Sequence, residues 1–331
     1  MVAAITLLVV AGTAAGGLCW KLAQWSNAPM SAEPLHLILE PGQSLSALAV
    51  QLQAAGITSD RRLLTVLGRL TAADTRLQAG EYLIPAASTP RQMLEQLTGG
   101  AVVHHGFRID EGITVAALLA NLANETRLEQ DILAHDAQAL HAELALSVPF
   151  AEGMFFPDTY QFQLQDSARA LLLRAHEVMV GKLDEAWQRR PEETQLRSRE
   201  DLIILASIVE KETGLAADRG QISQVFHSRL AKRMLLQTDP TVIYALGREF
   251  DGNLTRAHLK IESPFNTYRV RGLPPTPIAL PSAASLEAAL TPAPGDYLYF
   301  VAMGDGASKF SRTLAEHNAA VRRYQLKRTG T

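Results

Sequence analysis

The sequence predicts an α+β protein of at least two domains behind an N-terminal apolar segment. Three observations lead there. Short β-prone runs bounded by Pro and Gly, at 36–40 and 80–84, alternate with stretches whose apolar residues recur at helical spacing. Hydroxyl or capping-box residues stand directly before those stretches. A chain of 331 residues that is 47% hydrophobic and 20% charged is also too long for one small module and too ordinary in composition for a disordered chain. Thirty-one Lys and Arg against 34 Asp and Glu leave a net charge of −3, which gives no global attraction to phosphate backbones, so no nucleic-acid partner is expected. The lone Cys19 excludes an intrachain disulfide framework and a multi-cysteine zinc site.

Taken in order, residues 2–20 carry no charge, and a helix of that length nearly spans a ~30 Å hydrocarbon core. We therefore expect a single transmembrane anchor over 1–21; the run is long for the core of a cleaved signal peptide. Its one nearby cation, Lys21, follows the span and specifies orientation weakly. Residues 22–34 form a linker, polar and Pro-containing from Ser26 onward. A strand at 36–40 runs into Pro41 and Gly42, after which Ser44 caps a helix with Leu45, Leu48, Ala49 and Leu52 on one stripe. A second helix follows at 61–70 and a strand at 80–84. Thr89, Pro90 and Gln92 then form a capping box with Pro at the first helical position, and that helix stops at Gly99 and Gly100.

The segment LEPGQSLSALAVQL (39–52) repeats as IDEGITVAALLANL (109–122), which lays Gly42, Ser44, Leu48 and Leu52 on Gly112, Thr114, Leu118 and Leu122. In both copies a glycine precedes a hydroxyl cap and an apolar helix, the signal of a tight strand-to-helix turn. Residues 125–152 and 166–190 are expected to be mostly helical, with an exposed connection at 189–199. Ser198 then heads a helix with eight near-continuous apolar or small positions at 202–209, reaching Glu210 and ending near Thr213 and Gly214. A helix apolar on every side is buried on every side.

Glu210 shares a helix face with Ile203, Ala206 and Ser207, whereas Glu212 points about 200° away, so the two acids cannot form one site. Helix position leaves two readings of Glu210. In one, desolvation and the negative end of the helix dipole keep it protonated, ready to donate a proton to a leaving oxygen. In the other, it turns into solvent to meet Lys211 or an arginine. Downstream, QTDPT (237–241), SPFNTY (263–268) and a Pro-rich turn at 272–277 set Asn, Thr, Asp and Tyr on fixed loops, as EGMFFPDTY does at 152–160. Such loops suit sugars as ligands, although each residue also fits a turn or cap. No zincin, nucleophile-elbow, Walker or dinucleotide pattern occurs; His104, His105 and His317 read as surface or capping residues.

LASIVEKET (205–213), LQTDPTVIYALG (236–247), SPFNTY (263–268) and GLPPTPIALP (272–281) together resemble the endolytic murein (peptidoglycan) transglycosylases, the YceG-like family. EGMFFPDTY (152–160) and EHNAAV (316–321) fit the same resemblance, which covers nearly the whole chain in order. It implies a LysM-like region over 35–100 and a catalytic domain over 101–331. It implies, too, a single-pass inner-membrane protein with a periplasmic body, acting on nascent glycan strands beside wall synthases. The activity implied is cleavage between N-acetylmuramic acid and N-acetylglucosamine to leave 1,6-anhydro ends, with no cofactor. Carried over residue by residue, the catalytic acid/base falls on Glu210, and Gln237, Asp239, Thr241, Tyr244, Asn266 and Tyr268 become the substrate-side candidates. Thr276 stands where glycine is common and Phe265 where tyrosine is frequent. Two alternatives remain: a hydrolytic muramidase using Glu210 with Asp239, and a non-catalytic wall-binding scaffold.

Overall fold

The computed structural model describes residues 2–212, 215–304 and 306–325, with the side chains of 2–5, 7–11 and 14 outside that description. The chain divides into two compact units, Met1–His105 with Gln161–Gln165, and Gly106–Tyr160 with Asp166–Thr331. Helix content far exceeds strand content, and the described strands are all short.

In the first unit, β1 (Leu35–Leu39) pairs antiparallel with β2 (Gly80–Ile84), Leu37 opposite Tyr82 and Leu39 opposite Gly80. The period of two puts Leu37, Leu39, Tyr82 and Ile84 on one buried face. Three helices supply the rest of that core: α2 (Leu45–Ala54), α3 (Arg61–Leu70) and α4 (Pro90–Gly99), through Leu48, Leu52, Leu64, Leu67, Met93 and Leu97. The caps are those the residues announce. Ser44 Oγ accepts the Ala47 N–H, and Thr89 and Gln92 form a complete capping box. The first helix of the chain, α1 (Val2–Ser26), presses Leu22 and Trp25 onto the same core. Among the described residues no helix is long and apolar enough to cross a membrane. Much of the run expected to span lies among the side chains outside the description.

His105 departs from the surface reading given to it. It is mostly buried and its Nε2 meets Glu81 Oε2 at 2.5 Å, while His36 meets the other oxygen. The two histidines hold the Glu81 carboxyl below its ordinary range.

The second unit begins within β3 (His105–Arg108), continues through α5 (Val115–Ala123) and α6 (Ala137–Glu143), and includes the first two residues of β4 (Thr159–Phe162). Beyond these come α7 (Ala168–Gln188), α8 (Arg199–Glu212), α9 (Ala216–Ala231) and α10 (Asp239–Leu246). The chain closes with α11 (Ala283–Leu290), the antiparallel pair β5 (Tyr299–Ala302) and β6 (Ser308–Ser311), and α12 (Leu314–Tyr324). As its composition requires, α8 is central: all eight residues from Leu202 to Val209 are buried, against Met179 and Leu183 of α7, Ile222 and Phe226 of α9, and Leu286 and Ala289 of α11. Burying each large aliphatic side chain is worth about 1.5–3 kcal/mol, so this helix is the rigid axis of the unit.

One helical expectation fails. Residues 125–152 contain only the short α6, because the backbone there is tied elsewhere. Glu129 N–H bonds Asp166 O at 2.9 Å, and the Leu133 and Ala134 N–H groups donate to the Glu143 carboxylate. A distant backbone carbonyl and one side-chain carboxylate thus take donors a helix would use.

Candidate active site

Glu210 sits in the last turn of α8, half-buried. Its Oε2 accepts two bonds from one residue, the Ser282 N–H at 2.9 Å and the Ser282 hydroxyl at 2.5 Å. Ser282 is also the N-cap of α11, where its Oγ accepts the Ser285 N–H, so the donor is itself locked. The segment that brings Ser282 there, residues 278–282, is pinned along the face of α8 predicted to carry Glu210. Ser207 Oγ accepts the Ile278 N–H at 3.0 Å, and Leu280 exchanges bonds with Gly112 and Ile113, both at 2.8 Å.

Gly112 completes the wall. It has φ +72°, its carbonyl accepts Lys211 Nζ at 3.0 Å, and a side chain there would lie 3.7 Å from Glu210 Cγ. The second copy of the repeated turn thus borders Glu210. Glu210 Oε1 meets no protein partner among the described residues. A carboxyl fixed through one oxygen and open at the other is arranged to exchange a proton with a ligand atom.

Glu212 has different partners, in keeping with its opposite direction on the helix. Its carboxyl turns inward and accepts the Thr238 hydroxyl. Burial pushes it up to about 7, the nearby Asp239 charge adding to the rise while Thr238 and Arg229 oppose it. A third acid, Glu152, is buried at 3% exposure, its oxygens accepting the Val115 N–H at 2.9 Å and the Tyr244 hydroxyl at 3.1 Å. Burial raises it as well, to about 7. Burial thus raises the Glu212 and Glu152 carboxyls. Glu210 is distinguished by its geometry, clamped at Oε2 and without a protein partner at Oε1 among the described residues.

The substrate-side candidates separate into four groups. Asp239 is exposed and accepts the Tyr268 hydroxyl at 2.5 Å, beside Glu212. Exposed Gln237, with φ +50°, ties its N–H to Thr267 O. Tyr244 belongs with Glu152, its ring 4.9 Å from that of Phe265, on a groove of about 620 Å³. Thr241 and Asn266 face no open space: both are fully buried. Thr241 Oγ1 bonds Thr238 O and Thr267 Oγ1, and Asn266 spends its amide on Leu259 O, Ile261 O and the Tyr268 N–H. These two hold loops in place, which corrects their reading as sugar contacts. Thr276 lines the same groove as Tyr244.

Residues that sequence reasoning missed are Ser282, Gly112 as a wall of the site, and Glu152 as a buried acid. Ser282 was visible as a cap before an apolar helix; its partner, 72 residues away, was not. Among the described residues no three His, Cys, Asp or Glu side chains gather so as to hold a metal ion.

A buried helix ending in a clamped carboxyl, with loops rich in hydroxyls and aromatics around it, defines a class of acid/base site suited to carbohydrate. The chain belongs to the YceG-like family, whose model matches residues 37–323. An endolytic murein transglycosylase of Bacillus subtilis (strain 168) is 32% identical over 312 residues, covering 89% of this chain and 86% of the relative. One from Streptococcus pneumoniae (strain D39) is 25% identical over 85% of this chain, which spans 56% of that relative's length. The 2.6 Å crystal structure of a protein described as YceG-like, from Listeria monocytogenes, superposes with a TM-score of 0.54 at 29% identity, covering 87% of this chain and 99% of that one.

Proposed function

We propose that this chain is an endolytic murein transglycosylase, a peptidoglycan lyase, in which Glu210 is the general acid and then the general base. Relatives of that name, similar over most of the chain, support the activity. The observation that carries the residue is the Glu210 carboxyl held by Ser282 through Oε2 and open at Oε1. Oε1 gives its proton to the oxygen bridging N-acetylmuramic acid and N-acetylglucosamine as the C1–O bond breaks. The resulting carboxylate takes the proton of the muramic C6 hydroxyl as that oxygen bonds C1, leaving a 1,6-anhydro end and a regenerated acid. No water enters, so one acid suffices where a hydrolase needs two carboxyls about 5–9.5 Å apart.

The hydrolytic alternative would pair Glu210 with Asp239, but Asp239 is grouped with Tyr268 and with Glu212, which leaves α8 about 200° round from Glu210. Mass spectrometry of digested glycan tests the reading. Soluble products one water lighter than hydrolysis products are expected from the parent, and none from Glu210→Gln. Ordinary reducing ends would move the protein to the muramidases, and equal release by the variant would remove Glu210 from the mechanism.

The charge-free run at 2–20 supports a single-pass anchor in the inner membrane, with the body in the periplasm where its substrate lies. Deletion of residues 1–21 should move the protein from the membrane to the soluble fraction. Residues 35–100 act as the LysM-like wall-binding part and 101–331 as the catalytic part. Work on nascent strands would bring it beside peptidoglycan synthases as partners, which co-purification with the full chain tests.

A further inference from the structure

A cavity of about 990 Å³ in the second unit is one the mechanism does not use. It opens beside the N-terminal half of α8, away from Glu210, and its wall is chemically mixed. Ile204, Leu230, Met234, Leu273, Pro274 and Pro275 supply apolar surface. Arg197, Arg233 and Arg271 supply three exposed cations.

No guanidinium of these three meets an acid or a carbonyl among the described residues. The two acids on the same wall are already committed: Asp201 Oδ2 accepts the Arg197 N–H at 2.9 Å, and Glu200 is held below its usual range by the Ser198 hydroxyl. The cavity thus offers uncommitted positive charge in a chain whose net charge is −3. The three arginines stand on three separate segments, before α8, after α9 and in the 271–276 loop. That spread suits several anions spaced along an extended ligand better than one compact polyanion.

Pro149, Phe150 and Thr276 line both this cavity and the groove over Glu152 and Tyr244, so the two adjoin. From Thr276 the chain reaches Ser282, the partner of Glu210, within six residues, at most about 20 Å. A five-residue peptide spans at most about 17 Å. A peptide hanging from a sugar near the scissile bond and the stretch of chain from Ser282 to the cavity's edge are thus of comparable reach.

We infer that the cavity bordered by Arg197, Arg233 and Arg271 binds the carboxylate-bearing stem peptide of the glycan strand, and so selects peptide-substituted over bare strands. The inference rests on the function proposed above and names a specificity that reading leaves open. The arginines meet the stem carboxylates while the apolar wall covers its aliphatic side chains.

The test compares the full chain on uncrosslinked strands carrying stem pentapeptides with the same strands stripped by an N-acetylmuramoyl-L-alanine amidase. The parent should show a kcat/KM ratio favouring peptide-bearing strands. The double variant R233A/R271A should reduce that ratio about tenfold, through KM, and R233K/R271K should keep most of it. Calorimetric titration with free stem pentapeptide should show binding that weakens in the alanine variant and that inorganic pyrophosphate does not displace. Equal cleavage of both strands by the parent, an unchanged ratio in the alanine variant, or displacement by pyrophosphate would overturn the inference. If the parent cleaves neither strand, the proposed activity fails, and the pentapeptide titration decides the inference alone: weakened binding in the variant upholds it, unchanged binding overturns it.

Discussion

The turn around Gly42 in the first unit and the turn around Gly112 in the second are built to one local plan and used for different ends. Each glycine has positive φ, +76° and +72°, and each is followed by a hydroxyl cap, Ser44 or Thr114, that accepts the N–H three residues on at 3.2 Å. Each cap opens a helix whose leucines enter a core. Around Gly42 nothing lies within 4 Å of the position a side chain would take. Around Gly112 stand Glu210 and Lys211, and the first residue of the next helix, Val115, donates its N–H to the buried Glu152. Local turn chemistry is thus indifferent to use; what packs against the turn gives it a role.

That contrast can be broken by experiment. The largest effect belongs to the acid beside the second turn: Glu210→Gln should lower glycan turnover by at least ~100-fold, as loss of a general acid/base does, with the thermal midpoint little changed. Next comes Glu152, for which the first turn has no counterpart among the described residues. Its carboxyl titrates near 7 in the folded protein against 4.5 as the ordinary value, so the folded state binds the extra proton between those limits. The stability this confers is complete below pH 4.5 and is lost as pH rises through 7, about 3 kcal/mol over that window. Glu152→Gln should flatten this part of the stability-pH profile measured by denaturant unfolding, and should leave the variant more stable than the parent at pH 8.

Smaller effects sharpen the comparison. Gly42→Ala and Gly112→Ala should each cost about 1–2 kcal/mol, because both force a side chain into the left-handed region. Only Gly112→Ala should also slow turnover, since relief of that strain moves the carbonyl holding Lys211 and the surface against Glu210. Equal activity in the two variants would sever the second turn from the site. The smallest pair is Ser44→Ala and Thr114→Ala, each expected to cost about 1 kcal/mol in unfolding experiments as a lost helix cap.

Legibility followed the range of the interactions. The box of Thr89 and Gln92, the caps at Ser44 and Thr114 and the burial of 202–209 were readable because each arises from residues within a turn or two of one another. Residues 125–152 misled because their apolar spacing is locally helical, while Glu143 and Asp166 claim the backbone donors from a distance. At the site, helix phase correctly sent Glu210 and Glu212 to different partners. It did not mark Glu212 or Glu152 as carboxyls that burial would raise. Desolvation depends on every element that closes over a group, which periodicity along one helix does not contain. Thr241 and Asn266 were misplaced for the same cause, since loop residues that read as ligand contacts were consumed by bonds across the loop.

From the linear chain alone come the α+β class, the caps and the buried helix, because spacing and side-chain chemistry act over one or two turns; the resemblance of its motif, not spacing, singled out Glu210 as the candidate acid. Folding alone decided that Ser282 clamps that carboxyl, that Gly112 walls it, that Glu152 lies buried under Tyr244, and that, among the described residues, the guanidiniums of three arginines around one cavity meet no acid or carbonyl. Those are meetings between residues far apart in sequence. Their energies depend on distance and solvent exclusion, two quantities that exist only once the chain has closed on itself.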